Sequence, residues 1–163
     1  MKFLRADLRR MRTMEFDEDI VYPKTRMESK PSLLDIKNVH AHALVENHGD
    51  MITAEIDATA VLVLECAYTL EPLERNIKIK ETLQFSEDVQ DDDELLYAPG
   101  PTVDLDDYLF GLILTEVPAK VVKRGAHLPK AGKGYRVISE DQFVREKEEN
   151  GDPRFKDLDK FEE

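Results

Sequence analysis

Between Val117 and Arg136 the chain carries six basic side chains, Lys120, Lys123, Arg124, Lys130, Lys133 and Arg136, and not one acid. Positive charge gathered in this way is the chemistry of phosphate contact. Exposed charges act over only about 10 Å at ordinary ionic strength, so a polyanion is attracted where they are concentrated. Concentration is essential here, because the formal net charge of the whole chain is -12. Tyr135 lies within the segment and offers a ring on which an unpaired base can stack, or a side chain for the core. Gly125, Gly132 and Gly134 let backbone N–H groups approach an anion, but Walker spacing and the dinucleotide fingerprint are both missing, so this is not a nucleotide cradle. The competing account is a solvated loop that offsets the acids just upstream. Residues 86–107 hold nine acids, Glu87, Asp88, Asp91, Asp92, Asp93, Glu94, Asp104, Asp106 and Asp107, and no base.

Other reactive residue types give less. The run Asp91-Asp92-Asp93-Glu94 lacks the alternating ligands and the bend glycine of a calcium loop and reads as solvated acid. His40 and His42 stand two apart on an expected strand and share a face, but no neighbouring Cys or carboxylate completes a metal site in the sequence. Cys66 closes an apolar stretch and reads as a core thiol. As the only cysteine it excludes an intrachain disulfide and a thiolate-only zinc site. No nucleophile–base set or paired carboxylates can be identified, so no enzymatic activity, no metal and no cofactor are expected.

The elements that position these residues follow from periodicity. From Ile52 the even positions Ala54, Ile56, Ala58, Ala60, Leu62 and Leu64 are apolar and alternate with polar neighbours, as do the odd positions Leu73, Ile77, Ile79, Leu83 and Phe85 further on. Two long strands joined through Pro72 are expected, after a weaker strand over Val39–Val45 that ends in the turn Asn47-His48-Gly49-Asp50. Leu105, Leu109, Leu112 and Ile113 recur at helical spacing behind an Asp104 cap, and Pro118 stops that helix. Ser139 with Gln142 forms a capping box for a helix through Phe143 and Val144, and Asp152-Pro153 opens a C-terminal helix over 152–163. The first twelve residues, Leu4, Leu8 and Met11 among arginines, fit an amphipathic helix, an edge strand or a disordered tail. The expected fold class is α+β: an antiparallel β-meander sheet covered by a few helices, one domain over 1–163 with a loose N-terminal stretch, 1–30.

Hydrophobic residues make up 41% of 163, enough for one core, and charged residues 36% with no Trp, so that core rests on aliphatic side chains. No run approaches the roughly 18 apolar residues of a membrane span and no signal-peptide h-region is present, so the cytoplasm is the expected compartment.

Four segments resemble the YceD family. They are Cys66-Ala67-Tyr68-Thr69-Leu70-Glu71-Pro72 between the long strands; Val103-Asp104-Leu105-Asp106-Asp107-Tyr108 leading to Leu114-Thr115-Glu116-Val117-Pro118-Ala119-Lys120; Gly132-Lys133-Gly134-Tyr135-Arg136-Val137 followed by Ser139-Glu140-Asp141-Gln142-Phe143; and Asp152-Pro153-Arg154 with Leu158. The Firmicute-type branch, catalogued as nucleic-acid-binding or metal-binding, is the nearest pattern. The resemblance implies a bacterial or organellar protein needed for accumulation of large-subunit ribosomal RNA, encoded beside a small zinc-ribbon protein of that subunit and without known enzymatic activity. The chain departs from many relatives where Thr69 replaces a second cysteine and where 120–134 contain none, so zinc is not carried across. The expected partner is ribosomal RNA or the pre-ribosomal large subunit, bound through Lys120, Lys123, Arg124, Lys130, Lys133, Tyr135 and Arg136. The alternative is an acidic, chaperone-like protein that holds a basic large-subunit ribosomal protein.

Overall fold

The structure, a computed structural model, describes residues 1–88 and 95–150. They form two compact units, one of Met1–Cys66 with Glu71–Val121 and one of Ala67–Leu70 with the chain from Val122 onward.

The first unit is built on the two alternations. Strands β3 (Leu33–Asn47), β4 (Met51–Glu65) and β5 (Pro72–Ser86) are long and antiparallel, and the register of β4 with β5 runs unbroken from Met51↔Ser86 to Glu65↔Pro72. Ala54, Ile56, Ala58, Ala60, Leu62 and Leu64 of β4 are all buried, with Ile77, Ile79 and Phe85 beside them on β5, as period two requires. The β3–β4 turn is set by Asn47, whose Oδ1 accepts from Gly49 N at 2.8 Å while Gly49 takes a φ of +88°.

The sheet is larger than the expected three-stranded meander. Its order is β2-β3-β4-β5-β6, in which β2 (Thr13–Ile20) lies antiparallel on β3 and the short β6 (Leu95–Tyr97) pairs in parallel with Gln84–Ser86. A separate pair joins β1 (Lys2–Leu4) to β7 (Thr102–Asp104), and α1 (Arg5–Met11) links β1 to β2. Residues 1–30, expected as a loose end, thus supply an edge of the main sheet, a strand of the small one and a 3₁₀ turn over Lys24–Met27. Phe3, Leu8, Tyr22 and Met27 of this stretch are buried in the core.

Helix α2 (Leu105–Thr115) begins as its sequence dictates. The Asp104 side chain accepts from Asp106 N at 3.1 Å, and Asp106 and Asp107 sit at the positive end of the helix dipole. Leu105, Leu109 and Ile113 are fully buried, and Phe85 meets Tyr108 edge-on at 4.8 Å. The expected inward residue Leu112 is only partly buried; Phe110 takes the buried place because Tyr22 meets it at 5.0 Å and the Arg26 guanidinium covers its ring at 4.2 Å. The architecture is α+β, a mostly antiparallel sheet with helices.

In the second unit α3 (Glu140–Asn150) starts at the expected cap, with Gln142 N donating to Ser139 Oγ at 3.1 Å. The helix expected over 152–163 lies outside the described residues.

Candidate nucleic-acid interface

The basic segment begins where α2 ends. Lys120 is exposed at the close of the first unit. The remaining basic residues belong to the second unit, in irregular chain whose shape is set by two turns. Ala126 N donates to Lys123 O at 2.9 Å with Gly125 at φ +79°, and Tyr135 N donates to Gly132 O at 3.4 Å with Gly134 at φ +91°. A positive φ at the third residue is the mark of a type II turn, which glycine adopts without strain. Each turn therefore lifts one basic residue, Arg124 or Lys133, to its second position, and both are exposed.

Lys123 and Lys130 are exposed as well, and Arg124, Lys130 and Lys133 make no ion pair with any described residue. Arg136 differs. Both of its terminal nitrogens donate to the Glu146 carboxylate on α3, which also accepts from Gln142 Nε2 at 3.3 Å, so its charge is offset locally. Tyr135 is 63% exposed and does not pack in the core. Its ring lies over Gly132, where a Cβ would stand 2.3 Å from Tyr135 Cε1, so the ring's position depends on that glycine.

Several basic residues of the first unit have internal work. Arg5 is buried and donates to the carbonyls of Gly100 and Ala98, Arg9 pairs with Glu87 at 2.8 Å, and Arg26 pairs with Asp107 at 2.9 Å. The acidic tract is similarly divided. Glu87 and Asp107 hold those arginines, Asp104 caps α2, and Asp106 receives the Met1 amino group at 2.6 Å. Sequence reading found the Asp104 cap, which is local, but missed the roles of Glu87, Asp106 and Asp107, whose partners lie far away in the chain. The run Asp91–Glu94 lies outside the described residues.

His40 and His42 share the solvent face of the sheet, as expected, but stand beside β2 carboxylates that the sequence separates from them. His40 Nδ1 lies 2.9 Å from Asp19 and His42 Nε2 lies 2.8 Å from Glu15. The hydrogen bond to Glu15 raises the His42 pKa above its ordinary value, against a smaller desolvation effect. Among the described residues no group of three or more His, Cys, Asp and Glu side chains is arranged to hold a metal ion. Cys66 is buried, and its N–H donates to Glu71 O at 2.9 Å.

A family model described as large ribosomal RNA subunit accumulation protein YceD matches residues 54–162. The chain belongs to the YceD family. The YceD match opens within β4 and takes in β5, α2, the basic segment and α3, so it contains every residue of the candidate interface. Strands β1 to β3 precede it. No curated protein and no solved structure matches the chain. The family's description names a role in large-subunit ribosomal RNA accumulation, and among the described residues no helix is long and apolar enough to cross a membrane.

Proposed function

We propose that this YceD-family protein supports large-subunit assembly in the cytoplasm by binding ribosomal RNA directly and without catalysis. Lys120, Lys123, Arg124, Lys130 and Lys133 serve as phosphate contacts, and Tyr135 as a stacking surface for an unpaired base. Arg136 orders the segment through Glu146. The carrying observation is the set Arg124, Lys130 and Lys133, exposed and without ion pairs to described residues, on a stretch that contains no acid. In a chain of net charge -12 such cations are favourable only where they meet an anion from outside or balance the field of the whole molecule.

The test is RNA affinity against salt. Replacing Lys123, Arg124, Lys130 and Lys133 with alanine is expected to weaken binding of large-subunit ribosomal RNA and to flatten the log–log salt dependence by about 0.7–0.9 per lost contact. An unchanged slope would exclude this segment as the interface. The reading in which Asp91–Glu94 hold a basic ribosomal protein predicts the reverse. The lysine and arginine changes would then be neutral, and replacing the four acids with their amides would abolish partner capture.

A further inference from the structure

Strand β5 is paired with β4 along its whole length, but on its other side only Gln84–Ser86 are covered, by β6. From Pro72 to Leu83 no described residue pairs with its outer backbone edge. Native sheets blunt such edges with bulges, prolines, covering segments or charges that point outward. This edge has an unbroken register and no proline beyond its first residue. Its lysines do not guard it either: Lys78 and Lys80 reach back across the sheet to Asp57 of β4, at 3.4 and 2.8 Å.

Beside the open edge runs a groove of about 460 Å³ between β5 and the C-terminal half of α2. Its apolar part is Ile79, buried, and Leu112, partly buried; Thr115, Lys78 and Lys80 line it too, the two lysines with their charge held by Asp57, and its rim carries Glu81 and Glu116, both exposed and neither in an ion pair. The last turn of α2 contains no basic residue, so the partial negative charge of its carbonyl end adds to the two carboxylates.

We propose that this edge and groove dock an extended basic segment of a partner protein as an added strand. An unpaired strand edge selects an extended backbone, and the period of two along a strand lets alternate side chains divide between the groove and solvent. The apolar floor takes aliphatic side chains, and Glu81, Glu116 and the helix end select positive neighbours and repel phosphate. The site uses none of the residues assigned to RNA, so either assignment can fail without the other.

The probe is an eight-residue capped peptide alternating lysine and valine, with a glutamate–valine peptide as control, added to the intact chain. Hydrogen exchange is expected to show alternate amides between Leu73 and Leu83 gaining protection with the lysine peptide alone. The Glu81→Lys, Glu116→Lys double variant, altered only at exposed positions, is expected to lose about tenfold or more in affinity by fluorescence anisotropy. Arg124→Ala, Lys133→Ala should bind as the parent does. The proposal is overturned if saturating peptide leaves β5 exchange unchanged, if the glutamate peptide protects equally, or if the double variant binds normally. Protection that arises from raising protein concentration without peptide would also overturn it, by making a second copy of the chain the occupant.

Discussion

Gly132 matters through its neighbour. A Cβ there would stand 2.3 Å from the Tyr135 ring, yet that ring is 63% exposed and free to swing aside. Gly132→Ala is therefore expected to displace the ring and to change stability by no more than about 0.5 kcal/mol in urea denaturation. If Tyr135 stacks on a base, Gly132→Ala and Tyr135→Ala should each cost about 1–3 kcal/mol of RNA affinity and Tyr135→Phe much less. Equal affinity in all three would remove the ring from the interface. His42 gives a second test. Its folded pKa is raised, so the stabilisation from its pair with Glu15 is complete below the unfolded pKa and is lost as pH rises through the folded one. An NMR titration should place the His42 midpoint above the ordinary histidine value, and Glu15→Gln should bring it down. Residue types alone disclosed the basic segment, since charge without compensating acid is visible in one dimension. The partnership of Arg136 with Glu146 was not legible, because it needs α3 to bring a carboxylate ten positions away back to the guanidinium.

Among the elements, α2 separates depth of burial from periodicity. Leu112 and Ile113 both fit the helical repeat, but Ile113 is fully buried and Leu112 borders the groove beside Ile79. Ile113→Ala is expected to cost about 2–5 kcal/mol in urea denaturation, Leu112→Ala roughly half as much, and Asp104→Ala about 1 kcal/mol through the lost cap. Equal losses at 112 and 113 would mean that the inward stripe is misplaced. β4, β5, the Asn47–Asp50 turn and both helix caps were legible because each is written by local pattern. β2 was not. Glu15, Asp17, Glu18 and Asp19 are poor strand formers, and only pairing with β3, with Met14 and Phe16 packed on the core, makes the segment a strand. Phe110 escaped for a similar reason, since its partner Tyr22 comes from a stretch with no periodic signal.

For the whole molecule, the first twenty residues should be indispensable. Removing them strips β2 from β3, uncovers a long edge and takes Phe3 and Leu8 out of the core. The truncated chain is expected to aggregate or to lose cooperative unfolding, as read by sedimentation and thermal circular dichroism; a monomer with the parent's transition would contradict this. The pairing of β1 with β7 bears on how the chain reaches its native state. The hairpins β3–β4 and β4–β5 close over short turns, whereas Lys2 must find Asp104 across most of the first unit. Loop-closure entropy makes such a contact late. During synthesis Phe3 and Leu8 would emerge early and wait for their partners, so the nascent chain passes through a period in which the meander exists and its flank is bare. Changes in β1 or β7 should then accelerate unfolding while leaving the folding rate nearly untouched, the kinetic signature of a clasp fastened last.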